Sequence, residues 1–180
     1  FTDADTVNEG VGDFLGLRYV KTFRTALQWR VRPSAMPLVT IGQRPLFRDG
    51  PAVLEGLLDE SFDPRKTVYL PTASESAVRA EAVVGATVSN LLVRPHEISF
   101  QARTPKDALA VIAQGHYAPW RCRVDGAAVE IYRANKAFQA VVIPAGEHEV
   151  RLTYEDSGFR LGAVISGLAL LAGLVVWFRS

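Results

Sequence analysis

Three histidines, one cysteine and a few clustered carboxylates are the residues of this 180-residue chain best placed to do chemistry. His96, His116 and His148 lie far apart, and none forms the HxH or HxxxH pair that brings two imidazoles onto one metal. No metal site is expected. Cys122 stands between Arg121 and Arg123, whose charge would favour a thiolate. Its neighbours at two-residue spacing, Trp120 and Val124, instead mark a packed strand position. There is no GxSxG elbow, and Gly10, Gly12, Gly158 and Gly162 fit neither GxGxxG nor the phosphate-loop pattern. Asp59, Glu60 and Asp63 cluster where a helix ends and a turn begins, which accounts for them without acid–base work. Asp125 belongs to a turn and Glu147 to a loop. The sequence therefore offers no catalytic residue and implies no cofactor, and a soluble hydrolase lacks both nucleophile and carboxylate pair.

One grouping remains. Tyr117, Trp120, Tyr132 and Phe138 fall in the same region as Arg121, Arg123 and Arg133. Aromatic faces and guanidinium groups together suit a sugar or a phosphate headgroup. The plainer alternative makes the aromatics core and the arginines solvated strand faces. Tyr117, Trp120, Arg121 and Arg133 are the candidate glycan-binding residues.

The elements that must position them read as a sheet. Val88 to Val93 and Ile98, Phe100 and Ala102 flank Arg94-Pro95 as a hairpin. Ala108 to Ala113 is a continuous apolar run, the pattern of a strand buried on both faces. Trp120, Cys122 and Val124 alternate with Arg121 and Arg123, giving one apolar and one cationic face. Asp125-Gly126 suits a type I′ turn. Val129, Ile131 and Arg133 follow with period two, then a connection at Asn135, a strand from Phe138 to Ile143, a turn at Pro144-Ala145-Gly146 and a last strand from His148 to Tyr154. Strands at this spacing argue for an antiparallel sandwich or barrel, with no βαβ pattern among them. Upstream, Val7 to Leu15 reads as a short helix, Leu17 to Val20, Leu27 to Val31 and Pro37 to Ile41 as strands, Pro51 to Asp59 as an amphipathic helix and Thr67 to Leu70 as a strand. The small polar stretch from Pro71 to Ser76 reads as a linker.

Composition narrows the class. Hydrophobic residues at 48% exclude a disordered chain, and a net charge of +1 argues against a nucleic-acid binder. A single cysteine excludes an internal disulfide. The chain begins at Phe1 and has its only methionine at Met36, as expected of a fragment or a processed product. From Leu161 to Phe178 there is no charged residue, and Arg160 and Arg179 bracket the run. As a helix it reaches roughly 27 Å, near the thickness of a hydrocarbon core. With Trp177 and Phe178 at one end, it reads as a transmembrane helix; a buried core helix is the alternative. Flanking charge gives no orientation.

The segment from His116 to Leu161 resembles the C-terminal signature of the bacterial YfhO membrane-protein family. The residues that carry the likeness are Tyr117 to Trp120, Asp125-Gly126, Arg133 to Asn135, Pro144 to His148, Tyr154, and Phe159 to Gly162. Fainter likeness extends upstream through Leu15 to Val20, Pro33 to Val39, Ser61 to Leu70 and the strand from Thr104 to Gln114. Ala118-Pro119-Trp120 departs from the family's proline-glycine-tryptophan, and Met36-Pro37-Leu38 lacks an arginine common there. The resemblance implies a polytopic membrane protein similar to C-type glycosyltransferases. Such proteins use a polyprenyl-phosphate-linked sugar on the outer side of the cytoplasmic membrane, to glycosylate cell-envelope polymers. Their catalytic acid lies in an early loop between membrane helices, so no catalytic residue carries over to this chain.

The expected architecture is mainly β with an α+β N-terminal part: a mixed subdomain over 1–75, an antiparallel β-sandwich-like extracytoplasmic domain over 76–157, and a transmembrane helix over 158–180. The expected function is that of a non-catalytic accessory domain and anchor of a YfhO-like glycosyltransferase in the bacterial cytoplasmic membrane. Its partners would be the lipid bilayer through Leu161–Phe178, the remaining membrane body of the same protein and a cell-envelope glycan, with no nucleic acid. The alternative is a single-span, membrane-anchored domain that binds glycan or protein and has no enzymatic activity.

Overall fold

The structure is a computed structural model that describes residues 18–22, 28–31 and 35–179. The helix expected from Val7 to Leu15 lies outside the described residues. The contacts divide the chain into two units, 1–37 and 38–180. In the first, β1 (Arg18–Thr22) and β2 (Gln28–Val31) form an antiparallel hairpin with an irregularity between Tyr19 and Lys21.

The second unit is mainly β, with two antiparallel sheets. Its strands are β3 (Val39–Ile41), β4 (Arg44–Phe47), β5 (Thr67–Leu70), β6 (Thr87–Arg94), β7 (Glu97–Thr104), β8 (Ala108–Ile112), β9 (Trp120–Val124), β10 (Ala127–Val129), β11 (Tyr132–Ala134), β12 (Phe138–Ile143) and β13 (Gly146–Tyr154). Helix α1 (Pro51–Leu58) links β4 to β5, and α2 (Ser157–Arg179) follows β13. One sheet has five strands in the order β10-β9-β13-β7-β6, the other four in the order β11-β12-β8-β3.

Alternation explains the sandwich. On the five-stranded sheet Ile98, Phe100, Ala102, Trp120, Cys122, Val124, Val150 and Leu152 all point inward. There they meet Val39, Ala110, Ile112, Val141 and Ile143 of the four-stranded sheet in one buried core. The residues between them, Arg121, Arg123, Arg151, Gln101 and Arg103, are exposed on the outer face. That face is not uniformly cationic. Arg151 pairs with Glu97 and Glu149, and Arg103 with Glu147, contacts that solvent screens.

β8 is buried at every position. Ala110 and Ile112 face the sandwich, while Leu109 and Val111 face a second core with Val68 and Leu70 of β5 and with Val78 and Ala80. This third layer explains why the sequence of β8 is continuously apolar. It also joins residues upstream of 76 to the sheets: β3 pairs with β8, and β5 covers the four-stranded sheet.

Three expectations need correcting. The stretch from Val129 to Arg133 is two strands, because the chain leaves the five-stranded sheet after β10 and enters the other as β11. Period-two patterning is the same on either side of such a crossing. The stretch from Pro71 to Ser76 is not a loose linker. It contains a 3-10 turn, Thr72–Ser74, in which buried Ser74 donates its hydroxyl to the Pro71 carbonyl at 2.6 Å. The strand β4 was not foreseen. Pro45 sits within it, which is compatible only with an edge, and β4 pairs with β5 in parallel across α1 as a small βαβ unit. Gly56 of α1 lets the helix lie on Tyr69, since a Cβ there would fall 2.4 Å from the tyrosine hydroxyl.

The span expected from Leu161 to Phe178 is helical, within the 23 residues of α2. Among the described residues, however, no helix is long and apolar enough to cross a membrane.

Phe100 tests the sandwich core. It is 2% exposed and sits mid-strand in β7. Phe100→Ala should cost about 3–5 kcal/mol, whereas Leu92→Ala on the exposed edge strand should stay within about 0.5 kcal/mol. Denaturant titration of the two variants measures the difference.

Candidate binding groove

The candidate residues are gathered by an irregularity of the five-stranded sheet. β10 pairs only with Val124, Arg123 and Cys122, so the first two residues of β9 lack a strand neighbour on that side. The gap lies between the Tyr117–Trp120 turn, in which the Trp120 amide donates to the Tyr117 carbonyl at 3.1 Å, and the segment Glu130-Ile131 where the chain crosses sheets. The result is an open groove of about 530 Å³, lined among others by His116, Tyr117, Arg121, Arg123, Glu130 and Glu155.

Tyr117 is 65% exposed, with its ring available to a ligand. Arg121 is held by its own backbone: one Nη donates to the Ala118 carbonyl at 2.5 Å and to the Trp120 carbonyl at 3.0 Å. Arg123 donates to the Gly126 carbonyl at 2.9 Å. Among the described residues neither guanidinium is in an ion pair, so both keep donors free for an oxygen-rich ligand. Glu130 lies beside Tyr132, whose phenol is pushed up by burial first and then by that carboxylate.

Trp120 also lines the groove, but Trp120 and Arg133 sit differently from Tyr117 and Arg121. Trp120 is 6% exposed and packs edge-on against Tyr154 at 5.4 Å between ring centres. Trp120 and Tyr154 are direct partners across β9 and β13, so most of the indole is core. Arg133, on β11, lines a separate cavity of about 140 Å³ with Arg48, Asp49, Tyr69 and Lys136. The sheet crossing after β10 is what separates it from Arg121. Reasoning from sequence missed Glu130 and Glu155, which line the groove and bring negative charge beside the two arginines. Position in sequence carried no sign of either.

The other end of β9 and β13 holds a polar clasp. Asp125 and Gly126 have φ of 50° and 83°, the backbone of a type I′ turn. The Asp125 carboxylate contacts His148 Nδ1 at 2.6 Å and accepts the Glu149 amide at 2.8 Å, and His148 Nε2 lies 3.2 Å from the Ala145 carbonyl. The hairpin turn is thereby fastened to the Pro144–Gly146 turn. The hydrogen bond from His148 holds the Asp125 carboxyl below its usual value, and the same bond raises the His148 imidazole. A second turn, Asn135-Lys136, also has positive φ at both positions. It docks on β5, with the Tyr69 amide donating to the Asn135 side chain and the Asn135 amide to the Tyr69 carbonyl, both at 2.9 Å.

The remaining chemical groups have structural roles. Burial pushes the Cys122 thiol up to about 12, too high for a nucleophile at neutral pH. Asp59 accepts from the Ser61 hydroxyl and amide, and Asp63 from the Arg65 amide, and both carboxyls are lowered by those bonds. Among the described residues no three His, Cys, Asp or Glu side chains are grouped to hold a metal ion.

An antiparallel sandwich with a helix appended to its last strand, and with a polar groove at one edge, is the class of protein this describes. Residues 86–166 match the family model described as bacterial membrane protein YfhO. The matched segment runs from β6 into α2 and includes the motifs between His116 and Leu161, so this part of the chain is similar to that membrane-protein family. Comparison with the curated proteins and with the solved structures gave no match.

The clasp makes a pH prediction. His148, raised above 6.5, contributes stability that is fully present below 6.5 and lost as pH rises through its folded-state value. Asp125, lowered below 3.8, contributes stability present above 3.8 and lost as pH falls through its folded-state value. The pair is therefore most stabilising between 3.8 and 6.5. NMR titration of the His148 ring should give a midpoint above 6.5 that falls towards it in Asp125→Asn. An unchanged midpoint would show that the carboxylate is not the cause.

Proposed function

We propose that this chain is the extracytoplasmic β-domain and membrane anchor of a YfhO-type polytopic membrane protein. That protein transfers sugar from a polyprenyl-phosphate carrier to a cell-envelope glycopolymer. In this reading the domain is not catalytic. It lies over the membrane body and holds the acceptor glycan in the groove at Tyr117, Arg121 and Arg123.

The observation that carries the reading is the continuity of the family match across the junction of sandwich and helix. The evidence for a bilayer around α2 is its surface. Leu161, Val164, Ile165, Leu168, Leu170, Leu171, Leu174 and Val175 are all 45–67% exposed. Such a surface is costly in water and favourable in lipid. Successive positions around the helix share this exposure, as a helix surrounded by lipid requires. The 18 uncharged residues from Leu161 to Phe178 supply roughly 27 Å of span by sequence. Exposed tyrosine beside guanidinium donors in an open groove suits a sugar hydroxyl surface, or the phosphate of a glycopolymer.

The test is transfer by the full-length protein in membranes, from a polyprenyl-phosphate-linked sugar to a cell-envelope acceptor. Tyr117→Ala and Arg121→Ala should each raise the acceptor KM by roughly tenfold, about 1.4 kcal/mol of binding, with kcat little changed. Arg133→Ala, in its separate cavity, should leave KM alone. Normal KM in both groove variants would remove the glycan-holding role. Acceptor binding without transfer by the full-length protein would favour an anchored binding module instead.

A further inference from the structure

We propose that the tip of the β6–β7 hairpin, at Leu91, Leu92 and Val93, is a second membrane contact that seats in the headgroup layer of the bilayer. The proposal rests on reading α2 as the membrane segment. Three observations carry it.

The first is exposure. Leu91, Leu92 and Val93 are 41%, 44% and 55% exposed and consecutive. Val93 stands opposite Ile98 and Leu92 opposite Ser99, so the apolar surface occupies both sides of the strand. The register shift between Ser89 and Leu92, with Asn90 at φ 53°, adds Leu91 to the patch. β6 is also the free edge of its sheet. An apolar, unpaired edge left in water invites aggregation, and proteins normally blunt or cover it.

The second is place. The Tyr154 amide donates to the His96 carbonyl at 2.9 Å, and Thr153 stands opposite Glu97. The hairpin tip therefore adjoins the last residues of β13, and α2 begins three residues after Tyr154. The patch lies at the end of the sandwich from which the membrane segment departs, and α2 would hold that end against the bilayer.

The third is what flanks the patch. Arg94 is exposed and reaches Glu97 only at 3.7 Å, and His96 sits over the Tyr154 ring at 6.3 Å. A guanidinium and an aromatic beside apolar side chains suit the boundary between headgroup and acyl chain. The free backbone N–H and C=O groups of an edge strand cannot enter hydrocarbon without partners. The contact is therefore shallow: side chains among the headgroups, backbone still hydrated.

The full chain, inserted in vesicles of phosphatidylethanolamine and phosphatidylglycerol, tests this with an environment-sensitive fluorophore on single introduced cysteines. Buried Cys122 remains in place and, with its raised pKa, should not label in the folded protein. Leu92→Cys reports the hairpin, Lys106→Cys the far end of β7, and Leu168→Cys the helix. The expected result is blue-shifted emission at 92, quenched strongly by lipid carrying a nitroxide near the headgroup and weakly by one at the acyl-chain end. The probe at 106 should show neither effect. A probe at 92 that behaves like the one at 106 overturns the proposal. So does one that is blue-shifted but unquenched by either lipid, since a protein surface would then cover the tip. Quenching at 168 without quenching at 92 removes the hairpin contact and leaves the helix reading intact. No quenching at either position removes both.

Discussion

The second unit depends on β8 being buried on both faces. A strand with no solvent-facing side has to be covered twice, and the two covers define the architecture. One is the five-stranded sheet, whose inward residues close on Ala110 and Ile112. The other is β5 with the segment through Val78 and Ala80, closing on Leu109 and Val111. The Asn135 turn adds a polar fastening to the second cover, because it exchanges hydrogen bonds with Tyr69 of β5. Residues upstream of the sandwich are in this way part of it, although they are far away in sequence.

Much of this was legible from residue order and some was not, for identifiable reasons. Strands with one wet face advertise themselves: Ile98, Phe100 and Ala102, or Trp120, Cys122 and Val124, alternate as required and are buried as required. The Asp125-Gly126 turn is legible because few dipeptides adopt two positive φ values readily. The switch between sheets at Glu130-Ile131 was not legible, since alternation persists through it. That switch decides the site: it opens the groove beside Arg121 and sends Arg133 elsewhere. The burial of Trp120 was not legible, because an aromatic next to arginines looks alike whether it faces solvent or core. Only its pairing with Tyr154 across the sheet separates the two cases.

The sandwich has two unlike ends, and β13 connects them. From His148 to Tyr154 there are six residue steps, about 20 Å of extended strand. At one end the Asp125–His148 clasp ties two turns together by hydrogen bonds that depend on protonation. At the other, Trp120, Tyr154 and His96 form a row of rings just before the chain enters α2. Asp125 and His148 belong to the first group and Trp120 and Tyr154 to the second, so each of these four residues has a role in folding.

That leaves the groove, whose position follows from the end of β13. Glu155 lines it, and the Glu155 amide donates to the Pro119 carbonyl at 2.9 Å, directly before α2 begins. The groove and the helix exit therefore share one end of the sandwich. The exposed ring of Tyr117 and the guanidiniums of Arg121 and Arg123 are thereby gathered where β13 gives way to α2, a strand's length from the Asp125–His148 clasp. The groove is open because β10 stops short of the first two residues of β9, so its shape follows from the same sheet crossing that carries Arg133 away.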